Sequence, residues 1–82
     1  MAKELIIAQG TYKVGVDFPE GTFVFDSKGV DTTIEIEKNN DYDSFYLDNE
    51  HGYNARLTLN KGIELRLYSQ MHVTKAEMIT FD

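Results

Sequence analysis

The chain has 82 residues, enough for one domain, and a chain this short hides only about 60% of the surface that it exposes when unfolded. Its 14 acidic residues outnumber 8 Lys and Arg for a formal charge of −6, and the basic residues are scattered singly, which argues against a nucleic-acid or anionic-membrane partner. It has no cysteine, which excludes a disulfide framework, a thiol nucleophile and any cysteine-held metal.

The first predicted strand, near 4–8, holds the apolar run Leu5-Ile6-Ile7-Ala8. That run is too short for a membrane span or a secretory leader. The expected compartment is the cytoplasm, or the extracellular space if a leader has been removed. A second strand is predicted near 11–16, with Tyr12, Val14 and Val16 on one face. Phe18-Pro19-Glu20-Gly21 then suits a type I turn, and a third strand runs near 22–26. The stretch thus reads as a corner, with Asp17 and Glu20 as turn acids rather than a carboxylate pair.

After Ser27-Lys28-Gly29, alternation over 32–37 marks a fourth strand. The segments 39–43 and 48–52 read as polar punctuation around a fifth strand near 44–48. Tyr53, Ala55, Leu57 and Leu59 alternate with polar residues in a sixth strand, 53–59. Ile63, Leu65 and Leu67 do so in a seventh, 63–68, and an eighth lies near 71–75. Asn60-Lys61-Gly62 between the sixth and seventh fits a three-residue hairpin with Gly62 left-handed. The tail KAEMITFD fits either a strand or a helical turn.

Strict alternation belongs to antiparallel sheets with one wet face. Eight short strands predict a single all-β domain over residues 1–82, an antiparallel two-sheet sandwich or a jelly-roll-like barrel. The small core makes assembly with further copies a natural supplement.

The hairpin register sets Leu59 opposite Ile63, Leu57 opposite Leu65, and Arg56 opposite Arg66. Facing like charges need compensation. Either Glu35 and Glu37 provide it, the favoured reading, or Arg56 and Arg66 form an anion-binding patch. Asn39, Asp41, Asp43 and Glu50 match positions 1, 3, 5 and 12 of a calcium loop. Ser44 replaces its required glycine and the preceding segment is a strand, so no metal and no cofactor is assigned. An oxygen site shared by two loops is the remaining option. His51 reads as an exposed loop residue and His72 as a wet-face residue. Neither Ser27, Ser44 nor Ser69 lies in a nucleophile elbow. Tyr42, Tyr46 and Tyr68 occupy polar positions, so they are expected at the surface. With Asp41, Asp43 and Glu50 they are the candidate ligand-binding residues, against the plainer reading of cross-strand packing.

The segment G-T-Y-K-V-G-V-D-F-P-E-G-T-F, residues 10–23, resembles the G-x-Y-x-V-G-x-D-[apolar]-P-x-G-x-aromatic signature of a small all-β domain. That domain recurs in bacterial proteins, mostly Gram-positive, many of them secreted or surface-anchored. L-T-L-N-K-G-I-E-L-R-L is similar to its closing hairpin, and the two stretches cover about a third of the chain. The resemblance implies a compact β-sandwich with no assigned catalytic activity, and it transfers no site residue. The family often follows a signal peptide, which this sequence does not display.

These readings point to a non-enzymatic binding or assembly module acting through strand edges and exposed tyrosines. Its partner is expected to be itself, as a homo-oligomer, or another protein. One alternative is a carbohydrate-binding module using Tyr42, Tyr46 and the acidic loops. Another is a small barrel enzyme of lyase or isomerase type, which would need polar residues pointing inward where the clearest strands place Leu, Ile and Ala.

Overall fold

A computed structural model describes residues 4–76. The strands are β1 Glu4–Ile7, β2 Gly10–Lys13, β3 Gly21–Asp26, β4 Thr32–Lys38, β5 Asp41–Leu47, β6 Asn54–Leu59, β7 Glu64–Leu67 and β8 Met71–Lys75. They form two four-stranded antiparallel sheets, ordered β1-β8-β3-β6 and β2-β7-β4-β5. The sheets stay open rather than closing into a barrel, so the fold is a two-sheet sandwich. Its connectivity is that of a jelly roll: only β4 and β5 are joined within one sheet, and every other connection crosses between sheets. No helix among the described residues is long and apolar enough to cross a membrane.

Alternation decides what lies between the sheets. Phe23, Phe25, Leu57, Leu59, Met71 and Val73 face inward from the first sheet, and Ile34, Leu47, Leu65 and Leu67 meet them from the second. Fully burying such side chains stabilises the fold by about 1.5–3 kcal/mol each. Phe18 plugs one end, with its ring centroid 5.1 Å from that of Phe23 in an edge-to-face contact and 6.0 Å from that of Phe25. Tyr12 packs edge-on at 6.4 Å, and its hydroxyl donates to the Ala8 carbonyl at 2.6 Å.

The corner at residues 10–23 is real, but its turn is displaced from the expected one. The chain reverses over Lys13–Phe18, where the Lys13 carbonyl accepts from the amides of Val16, Asp17 and Phe18 at 3.1, 2.8 and 3.3 Å. Asp17 returns a carboxylate to the Lys13 amide at 3.1 Å. Phe18-Pro19-Glu20-Gly21 makes no turn, and the Phe18 carbonyl accepts from the Gly15 amide at 2.7 Å. Val14 is buried as expected, whereas Val16, beyond the end of β2, is 74% exposed.

The expected hairpin at Asn60–Gly62 is also corrected. Gly62 has its positive φ, 97°, but the loop arches from β6 in the first sheet to β7 in the second. Leu57 and Leu59 therefore oppose Leu65 and Leu67 across the core instead of lying beside them. The arch is stitched to the corner: the Lys61 amide donates to Glu20 Oε1 at 3.0 Å, and the Gly62 amide to the Val14 carbonyl at 3.2 Å.

Among the described residues, the one hairpin that joins two named strands of a sheet lies where polar punctuation was expected. Lys38 pairs with Asp41, leaving Asn39 and Asn40 as a two-residue turn with φ of 53° and 68°. Two left-handed residues define the type I′ turn, whose twist suits antiparallel strands and which favours Asn. Asp41 and Asp43 consequently belong to β5 and not to a loop. The undecided tail falls from residue 77 onward outside the described residues, while Lys75 ends β8.

Candidate functional site

The outer face of the second sheet gathers the most exposed aromatics among the described residues. With Ile34, Ile36, Phe45, Leu47, Leu65 and Leu67 turned toward the core, Glu35, Glu37, Tyr42, Ser44, Tyr46, Glu64 and Arg66 must face outward. The register aligns them in rows across the strands: Thr11, Arg66, Glu35 and Ser44 in one, and Lys13, Glu64, Glu37 and Tyr42 in the next. Tyr68 follows β7, and Tyr46 pairs with Thr33 on the far side of Arg66. Tyr42, Tyr46 and Tyr68 are 60%, 57% and 47% exposed, which makes them surface groups rather than cross-strand packing. From strand geometry, Tyr42 and Tyr46 stand about 13 Å apart along β5.

Arg66 sits among them and is already committed. Its Nη1 donates to Glu35 Oε1 at 2.5 Å and its Nη2 to Glu64 Oε1 at 3.3 Å. The Tyr68 hydroxyl beside it, together with the charges of Glu35 and Glu64, raises the guanidinium above its usual value. Glu37 faces Glu64 directly, and its charge pushes the Tyr42 hydroxyl upward. Arg66 is thus shared by Glu35 and Glu64, Glu37 enters no ion pair among the described residues, and the three tyrosines stay exposed.

Arg56 does not join Arg66. It lies opposite Val24 on the outer face of the first sheet, on the other side of the sandwich. The two guanidiniums therefore form no anion patch. With no facing Arg56 to compensate, Arg66 bonds to Glu35 and to Glu64, while Glu37 lies beside Tyr42.

Asp41 and Asp43 occupy the inner-facing positions at the free edge of β5. With Ile36, Lys38, Asn39 and Ile63 they line a hollow of about 270 Å³. Glu50 lies beyond the opposite end of β5, about 15 Å or more from Asp43 by strand rise. The carboxylates proposed for a shared calcium site are thus separated, and no three acid or imidazole groups converge on a common point among the described residues.

The histidines are apart as well. His51 is exposed, its Nδ1 2.8 Å from Asp48 Oδ1, and its ring centroid is 6.1 Å from that of Tyr46. Asp48 Oδ1 also accepts from the amides of Glu50 and His51 at 3.0 and 2.7 Å. These bonds hold the Asp48 carboxyl low and His51 high. His72 is on the outer face of the first sheet, 2.8 Å from Glu4 Oε1. Asp17 and Glu20 are both used as caps for backbone amides.

Sequence reasoning found the tyrosines and missed their arrangement around Arg66. The signal was available in Asn39-Asn40: a two-residue turn there sets Glu37 against Tyr42 and Glu35 against Ser44.

Comparison of the chain with family models, with curated proteins and with solved structures finds no match.

Proposed function

We propose that this chain is a non-enzymatic binding or assembly module whose working surface is the tyrosine-bearing face of the second sheet. Its partner is another protein or a second copy of the chain. The observation that carries the reading is the exposure of Tyr42, Tyr46 and Tyr68 around an Arg66 whose charge is already balanced. Tyrosine and arginine are the residue types that dominate binding energy at protein interfaces. Each tyrosine offers a large amphipathic ring and loses little conformational freedom when covered. Among the described residues the buried side chains are apolar apart from Ser27, whose hydroxyl donates to the Tyr53 carbonyl at 3.3 Å.

The test selects binders from a displayed peptide library and screens the same chain on a glycan array. Recovered peptides are expected to lose at least about tenfold in affinity, 1.4 kcal/mol, on Tyr46→Ser and comparably on Tyr42→Ser. Substitutions at Asn54 and Thr58 on the opposite face are expected to change nothing. Light scattering separates self-assembly, with a mass above one protomer, from recruitment of a different protein. Binders indifferent to all three tyrosines would end the proposal, and glycan hits without peptide hits would replace it with a carbohydrate-binding module.

A further inference from the structure

We infer that the free edge of β5 accepts an extended, lysine- or arginine-bearing segment of a partner protein as a fifth strand of the second sheet. This rests on the binding-module reading and supplies the chemistry of the partner.

β5 has seven residues and, among the described residues, pairs only with β4. It is the longest of the four edge strands, the others having four, four and six residues. An open edge displays backbone donors and acceptors ready to pair with another extended chain. Its side chains decide which chain that is. Asp41 and Asp43 point toward the core side at the rim, where inward-facing charges discourage casual pairing. A second copy carries the same formal charge of −6, which disfavours this acidic chain as its own partner at this edge.

A basic segment meets the opposite situation. Neither Asp41 nor Asp43 enters an ion pair among the described residues. The hollow of about 270 Å³ beside them is lined by Ile36 and Ile63, which form an apolar floor, and by Lys38 and Asn39, with Lys38 in register with Asp41 but in no ion pair with it. A lysine or arginine can lay its aliphatic stem on such a floor while its charged head reaches the carboxylates. The hollow is smaller than pockets that enclose drug-sized molecules, which suits one side chain better than a free ligand. Alternate residues of the same segment would emerge beside Tyr42 and Tyr46 on the outer face. The preferred segment therefore alternates, basic on one side and apolar or aromatic on the other.

The probes are synthetic peptides of alternating Lys and Val, a Glu and Val counterpart, and the Lys peptide N-methylated at every second residue. They are titrated into the full chain while its backbone amides are followed by NMR. The Lys peptide is expected to bind, to shift amides over 41–47 and to slow their hydrogen exchange. N-methylation is expected to weaken it at least tenfold. Asp41→Lys with Asp43→Lys is expected to transfer the preference to the Glu peptide, and the milder Asp43→Asn to weaken the Lys peptide without unfolding the chain. Equal binding of Lys and Glu peptides, no binding at millimolar peptide, or no exchange protection in β5 would overturn the inference. If library-selected binders depend on the tyrosines while β5 stays unprotected, the edge proposal fails and the binding-module reading stands.

Discussion

Arg66 on β7 stands directly opposite Glu35 on β4, and the two are joined by a hydrogen bond of 2.5 Å. The pair does more than decorate the face. Glu64 shares the guanidinium, and Glu64 in turn faces Glu37. Removing the cation leaves three carboxylates on adjoining strands with only Lys13, in register with Glu64, as a nearby counter-charge. Arg66→Gln is therefore expected to lower the melting temperature by several degrees in low salt, with a smaller loss in high salt as repulsion is screened. Thermal scans at two ionic strengths check it; a loss independent of salt would mean that Arg66 acts through packing alone.

Phe25 has no exposed surface and contacts Phe18 across the closed end of the sandwich. Phe25→Ala is expected to cost about 3–5 kcal/mol. Domains of this size have total stabilities of about 5–15 kcal/mol. The variant should show a much lower urea midpoint and partial unfolding at physiological temperature. An unchanged midpoint would contradict the packing of the core.

Gly15 has a φ of 95°, and a Cβ there would lie 2.9 Å from Lys61 Cγ. Gly15→Ala is expected to destabilise by about 1–2 kcal/mol through its left-handed backbone, with the contact adding to it. Adding Lys61→Ala should recover only the steric part. Comparing the single and double variants by urea denaturation separates the two contributions.

In the Asn39-Asn40 turn, Asn40 has a φ of 68°. Asn40→Val is expected to cost about 1–2 kcal/mol, because a β-branched side chain opposes that conformation. Asn40→Gly is expected to be neutral or slightly stabilising, since Asn-Gly is the favoured pair of a type I′ turn. Denaturation of both variants provides the readout, and equal losses would rule out this turn geometry.

The loop after β5 is expected to respond to pH. Asp48 bonds to the amide and ring of His51, which lowers the Asp48 carboxyl. The Asp48 bond, with the charges of Asp48 and Glu50, raises His51. The contribution of His51 is complete below its usual value of 6.5 and is lost as pH rises through the elevated one. That of Asp48 is present above its usual 3.8 and is lost as pH falls through the depressed one. The loop is therefore tightest between those two values. NMR titration should find His51 above 6.5 in the native chain and lower in Asp48→Asn.

The strands were legible because burial of one face imposes a period of two, and that period survives in Ile63-Glu64-Leu65-Arg66-Leu67. Which strands pair was not legible from it. Leu57 and Leu65 show the same alternation whether they lie side by side in a hairpin or face each other across the core. Gly62 serves either loop equally well. The site was read in fragments for the same reason. Tyr42 and Tyr46 stood out because they fall at outward positions, yet placing the hairpin at Asn60–Gly62 separated them from Arg66. Asp41 and Asp43 looked like loop ligands because two asparagines were not recognised as a complete turn.

The last two of the described strands, β7 and β8, occupy interior places in their sheets, β7 between β2 and β4 and β8 between β1 and β3. A nascent chain that has not released them holds four fragments with gaps where the central ribbons belong. Neither layer can be completed from one half of the polypeptide. Such long-range pairing must close large loops before contacts compensate, so folding is expected to be slow and to wait until both strands are available. A stop codon before Glu64 would consequently leave no smaller folded remnant.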